Sequence, residues 1–171
     1  MGRVDDIRIA PEGEAPMEPI DRVAAVADRG LRGDRYFRGS GYYSGVDGCQ
    51  VTFVEAAALV TAREEYGVDL SDGRHRRNVV LSEVDVTALL GHRFRVGAAV
   101  FEGTRPRPPC AHLEELAGEE GVARALREER GGICADVIES GPVAVGDEAS
   151  DLGPLFDGEG LVDAIRERRE G

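Results

Sequence analysis

The chain has 171 residues, with 33 acidic side chains against 21 basic ones and a net charge of −12. That length suits one domain with a substantial core, and the acidic surface opposes binding to nucleic acid or to anionic membranes. Every basic residue is arginine, which rules out a lysine Schiff base, a pyridoxal-phosphate aldimine and a P-loop on this chain.

Arg3–Ala10 and Ile20–Val26 read as short strands around a Pro/Gly/Glu turn from Pro11 to Pro19. Gly30 to Gly48, rich in Gly, Tyr, Ser and Arg, reads as a working loop. Gln50–Phe53 is expected as a strand and Val54 to Tyr66 as an amphipathic helix closed by Gly67. Asn78–Leu81 is a short β-branched run, and Val86–Leu90 a helical turn ending at Gly91. Phe94–Val96 and Ala98–Glu102 form strands about Gly97. His112 to Arg130 alternates helical patches with glycines, and Cys134–Glu139 with Val143–Val145 reads as a hairpin about Ser140-Gly141-Pro142. Leu161 to Glu170 is a short amphipathic helix. Many short strands with interspersed helices predict a mainly β, α+β fold, a β-barrel with flanking short helices. The organisation expected is a strand and turn over 1–19, one domain over 20–150 and a tail with a short helix over 151–171.

The most informative segment is Arg105-Pro-Arg-Pro-Pro-Cys110. Its prolines fix φ and remove backbone donors, predicting a stiff extended loop that is neither helix nor central strand. The flanking Arg105 and Arg107 favour a thiolate on Cys110, which suits a soft metal ligand or a nucleophile as well as it suits a plain buried cysteine. Arginine also concentrates at Arg29, Arg32, Arg35 and Arg38 and at Arg74-His75-Arg76-Arg77-Asn78. Such clusters fit phosphate or another anionic ligand, and Asn78 could bond a heterocycle; the alternative is a solvated loop paired with carboxylates such as Asp34. His75 and His92 read as structural. Gly146-Asp147 reads as a turn ending a strand.

Three cysteines, none in a C-x-x-C, are too few for a four-cysteine zinc or iron–sulfur site, so electrons would come from another protein. Their odd number argues against a disulfide framework, and Cys49 and Cys134 read as core residues. With no apolar run near about 20 residues and no apolar core in a charged N-terminus, a cytoplasmic protein is expected. The acidic, lysine-free composition fits a halophilic surface.

Taken in order, Gly30-Leu31-Arg32-Gly33-Asp34-Arg35, Arg76-Arg77-Asn78, Leu90-Gly91 through Phe94 and Val96-Gly97, Pro109-Cys110, and Gly131-Gly132 through Gly146-Asp147 resemble the MOSC domain. That family is named for the C-terminal domain of molybdenum cofactor sulfurases, and the likeness runs from about Ile20 to Asp147, as in its short stand-alone members. The resemblance implies a barrel-like fold and binding of the molybdenum cofactor, a molybdopterin carrying a phosphate. Cys110 matches the family cysteine, which in amidoxime-reducing members is the thiolate on molybdenum and would here be both catalytic residue and metal ligand. Gly33, Asp34, Arg35, Arg76, Arg77 and Asn78 match motif positions and are expected to bind the cofactor; Arg105 and Arg107 are added on local charge alone. The implied function is reduction of N-hydroxylated small molecules by a molybdenum-dependent oxidoreductase, with a separate electron-donor redox protein. The competing reading is a carrier of the cofactor, or of persulfide sulfur on Cys110, serving a cofactor-biosynthesis protein. A third is a barrel interaction domain without the ligand. Neither nucleic acid nor membrane is an expected partner.

Overall fold

Strand β1 (Gly2–Ile9) buries Val4 and Ile7, which strict alternation would send to opposite faces. A register shift between Val4 and Asp6 adds the residue that returns Ile7 to the core. The computed structural model describes residues 2–11, 15–34, 37, 49–70, 73, 75–107 and 128–154. Within them follow β2 (Glu18–Pro19), β3 (Arg22–Val26), β4 (Gly30–Leu31), β5 (Val51–Glu55), helix α1 (Ala56–Tyr66), β6 (Val79–Ser82), a 3-10 turn at Thr87–Leu89, β7 (His92–Val96) and β8 (Ala99–Pro106). A second 3-10 turn at Glu128–Gly131 precedes β9 (Ile133–Glu139), β10 (Gly141–Ala144) and β11 (Glu148–Pro154).

The wall runs β11-β7-β8-β9-β5-β6-β1, and pairing of Gly2 with Ala149 and of Arg3 with Glu148 closes it into a barrel of seven strands. Closure removes the open edges that would otherwise invite association. Among the described strands only β5 and β6 pair in parallel, and α1 crosses between them. Strands β10, β3 and β4 form a separate small sheet. At the centre, Phe53 meets Phe94 and Phe101 edge-on, with centroids 5.2 and 5.1 Å apart, and all three rings are fully buried. Such edge contacts match the positive rim of one ring to the negative face of the next. The fold agrees with the mainly β barrel that the sequence predicts.

Four local expectations are corrected. Val54 and Glu55 extend β5, so the helix starts at Ala56; it buries Ala58 and Ala62, while Val60 is exposed. Gly67 ends it at φ 69° with Val68 N–H donating to Ala62 O, as expected of a left-handed cap. Arg105 and Pro106 do not lie in a loop but finish β8, opposite Cys134 and Ile133. Pro106 is tolerated there because the β7 ladder stops at Glu102, leaving the other side of β8 without strand partners to serve. Ser140-Gly141-Pro142 does not close a hairpin: β10 leaves β9 and pairs with β3. Gly141 makes this crossing possible, since a Cβ there would collide with the Ala98 carbonyl. Finally, Cys49 and Cys134 are indeed buried but form a disulfide. The reason is tertiary: β5 pairs antiparallel with β9, setting Thr52 opposite Cys134 and bringing together cysteines 85 residues apart. The expected helices at 112–130 and 161–170 lie outside the described residues, apart from the turn at Glu128–Gly131.

Candidate functional site

The end of β1, the starts of β5, β6 and β9 and the end of β8 meet at one rim of the barrel. This rim collects Gly33, Asp34, Arg76, Arg77, Asn78, Arg105 and Arg107 from segments distant in sequence. Arg35 and Cys110 lie outside the described residues. Chain geometry keeps Cys110 within about 11 Å of Arg107, three residues away.

Asp34 is fully buried behind Gly33, which turns the chain at φ 89°. Its Oδ1 accepts from Ala10 N at 3.1 Å, tying the loop after β4 to the end of β1. Asn78 is equally enclosed and almost fully committed to the protein. Its Oδ1 accepts from both the amide and the hydroxyl of Thr52 at 3.0 Å, and its Nδ2 donates to Arg8 O at 3.1 Å. Its own amide donates to Thr52 Oγ1 at 2.9 Å. This bracket joins β1, β5 and β6 at the rim and leaves one amide N–H for anything else.

Arg76 holds φ at 61°, a left-handed conformation costly for an arginine and common where function demands it. Its side chain is buried, and Nη1 donates to Ala15 O at 2.8 Å, fastening the β1–β2 connection over the rim. Arg77 has no exposed surface. Its Nε, Nη1 and Nη2 donate to the carbonyls of Gly131, His75 and Arg107 at 2.8, 2.7 and 3.0 Å. Arg107 is also buried, and its amide donates to Gly132 O at 2.9 Å. The Nε atoms of Arg105 and Arg107 are buried, and both residues make further interactions.

Two more residues join the site: Arg8, which no sequence motif marks, and His75, inside the Arg74–Asn78 cluster. Arg8 lies across Gly73, where a Cβ would come within 2.7 Å of its Cδ and Nη1, so the turn before His75 requires glycine. His75, read from sequence as structural, is buried, and its Nδ1 accepts from Arg77 N at 2.9 Å. Burial first, then the charges of Arg77 and Arg8, push its pKa down to about 3. The ring is therefore neutral and carries its proton on Nε2. Positive charge dominates this rim, as an anion site requires. Among the described residues, no cluster of three or more His, Cys, Asp or Glu side chains could hold a metal ion by itself.

An open groove of about 480 Å³ lies at the opposite rim, lined by Arg22, Arg95, Asp147 and Glu148 among others. Asp147 there behaves as the expected turn residue, its Oδ2 accepting from Ala144 N at 2.8 Å. His92 pairs with Asp151 at 2.9 Å, on partly exposed side chains of β7 and β11.

The MOSC domain model matches residues 40–150, more than half of the chain. The chain belongs to the MOSC domain family. Its MOSC barrel is similar to the crystal structure of YuaD from Bacillus subtilis, with TM-score 0.72 and 20% identity over 87% of this chain and 94% of that one. YiiM from Geobacillus stearothermophilus aligns with TM-score 0.70 and 15% identity, covering all of this chain and 87% of that one. YiiM from Escherichia coli aligns with TM-score 0.65 and 16% identity over 91% and 72%. At these identities the likeness is one of fold. No curated protein matches the sequence.

Proposed function

We propose that this MOSC protein binds the molybdenum cofactor at the cationic rim and reduces N-hydroxylated small molecules there. One observation carries the reading: three segments, at the end of β1, the start of β6 and the end of β8, bring Arg8, Arg76, Arg77, Arg105 and Arg107 to the rim, and the last of them leads in sequence to Cys110. The disulfide strengthens it. With Cys49 and Cys134 joined, Cys110 is the one cysteine of the three outside that bond.

The residues present fit such a group by the chemistry of their donors. A soft thiolate suits molybdenum, and an arginine-rich, positively charged rim suits a pterin phosphate. Cys110 would hold the metal. Arg76, Arg105, Arg107 and Arg35 would face the phosphate and pterin edges, with Gly33, Asp34 and Asn78 shaping the floor. Bound there, the cofactor supplies two-electron oxygen-atom transfer. The chain's own contribution is electrostatic and steric. Buried guanidinium groups favour an anionic ligand, and neutral His75 adds a donor without adding charge. Asp34 and Asn78 keep the strand ends from moving when the ligand is absent. Electrons come from a separate redox protein.

The test is metal analysis with pterin fluorescence on protein purified, at high salt, from a host that makes the cofactor. Molybdenum and pterin near one per chain, with metal lost in Cys110→Ala, are expected. A well-folded protein carrying neither would overturn the reading. A loaded protein that turns over no N-hydroxylated substrate with an artificial reductant would establish a carrier instead.

A further inference from the structure

The Cys49–Cys134 bond sits among the groups of the cationic rim. Cys134 is paired on both sides, opposite Thr52 of β5 and opposite Arg105 of β8, and its carbonyl accepts from Thr104 Oγ1 at 3.1 Å. Thr52 in turn carries Asn78, so the sulfur bond stands between the Asn78 bracket and a rim arginine. Thr52 turns its amide to Asn78 Oδ1 and its carbonyl to the Asn78 amide, toward β6 and not toward β9. Just ahead of β5, Gln50 donates its amide to Ala135 O at 3.0 Å and accepts from Val137 N on its Oε1 at 3.1 Å. Two hydrogen bonds and one covalent link thus hold the entry to β5 against β9. The two sulfurs differ in access. Cys134, inside the ladder, is 1% exposed, whereas Cys49, ahead of β5, keeps 5%. A thiolate arriving from solvent meets Cys49 first.

We propose that the Cys49–Cys134 pair is a thiol–disulfide exchange site that takes a dithiol reductant and sets how tightly the rim is held. One thiolate of the dithiol attacks the Cys49 sulfur, and the electron pair of the broken S–S bond leaves on Cys134, which takes up a proton. The second thiolate of the dithiol then attacks the mixed disulfide, closes the reductant into its own disulfide and releases Cys49, which is protonated in turn. Two electrons and two protons pass to the pair. Both thiols remain as small buried apolar groups, so the barrel wall survives. What is lost is the tie beside Gln50, Thr52 and Asn78. Weaker binding of an anion at the rim would follow, and that consequence alone rests on the proposed function.

A bond that serves only to restrict the unfolded chain protects every globally exchanging amide alike, whereas a switch acts on its own neighbourhood. Hydrogen exchange of the unloaded full chain separates the two, measured with and without dithiothreitol in native buffer and accompanied by a thiol count on the quenched protein. Dithiothreitol should expose two further thiols per chain while the protein stays folded. Exchange of the Gln50, Thr52 and Asn78 amides should then rise about fivefold or more above any change at Phe94 and Phe101, the factor one net hydrogen bond is worth. In Cys49→Ala/Cys134→Ala the same amides should exchange fast with or without reductant. A bond that resists dithiothreitol in the folded protein, unfolding on reduction, or a uniform rise across all strands would each overturn the proposal. If the double variant fails to fold, the wild-type comparison decides by itself. Inorganic phosphate should bind the oxidised protein several-fold more tightly than the reduced one; phosphate binding to neither would count against the proposed function, while the exchange pattern would still decide this proposal.

Discussion

Reducing the Cys49–Cys134 bond should cost this barrel a large share of its stability. The bond closes a loop between residues 85 positions apart. Entered into the chain-entropy relation, that separation gives about 4.6 kcal/mol at 25 °C lost from the folded state's advantage. Single domains of this size shift their melting temperature by roughly 2–4 °C for each kcal/mol, so a fall of about 9–18 °C is expected. Both sulfurs are buried beside β9, so a Cys49→Ala/Cys134→Ala variant adds a small packing loss to the same effect. The assay is thermal and urea unfolding with and without dithiothreitol, together with thiol titration in denaturant. Without reductant one thiol per chain should titrate, and after reduction three. Three titrating thiols in unreduced protein, or melting curves that coincide with and without reductant, would refute the argument.

Other outcomes follow from the rim and the wall. His75 has a folded pKa near 3, below its usual 6.5, so the unfolded chain takes up this proton first as pH falls. Stability should therefore drain from about pH 6.5 down to 3 at up to about 1.4 kcal/mol per unit from this residue. His75→Asn should flatten that limb, and denaturation profiles that superimpose on those of the wild type would refute it. Asn78→Ala leaves the Thr52 amide, the Thr52 hydroxyl and Arg8 O without their partner; a loss of about 3 kcal/mol or more is expected in chemical denaturation. Gly132→Ala should fail to fold or melt far lower, because φ is 86° and the new Cβ would collide with Phe53 O. Glu55 is pushed above the ordinary carboxyl range, chiefly by burial, with its bond from Val86 N opposing and Asp85 adding to the rise. A raised folded pKa favours the fold below the unfolded value and loses that advantage as pH climbs. Glu55→Gln should therefore gain stability relative to wild type at pH 7 but not at pH 4; an equal effect at both would refute the assignment.

Much of this protein was legible before folding was considered. Strand positions follow from β-branched and aromatic runs interrupted by glycine, and a run such as Val79-Val80-Leu81 reads as a buried strand in any context. Gly67, Gly91 and Gly97 mark turns because each adopts positive φ, which follows from glycine's missing Cβ. The arginine clusters and the lone-thiol segment also stand out, since an acidic chain rarely groups cations by chance. Strand β11 was not legible: Glu148-Ala-Ser-Asp-Leu-Gly-Pro154 buries only Ala149 and carries no apolar alternation. It is a strand because β1 and β7 offer it two ladders, and it closes the barrel.

The same division runs through the site. Local sequence determines that Arg76, Arg77 and Asn78 are adjacent at the start of β6, but not which way their donors turn. That choice belongs to the tertiary structure, because each side chain serves whichever unpaired carbonyl or amide the neighbouring strand ends leave exposed to it. Arg77 ties segments together because Gly131 and Arg107 present their carbonyls to it from two distant parts of the chain. Cys49 meets Cys134 because β5 happens to pair with β9. Composition and spacing set the charge of the rim. Strand pairing alone decided which groups met there.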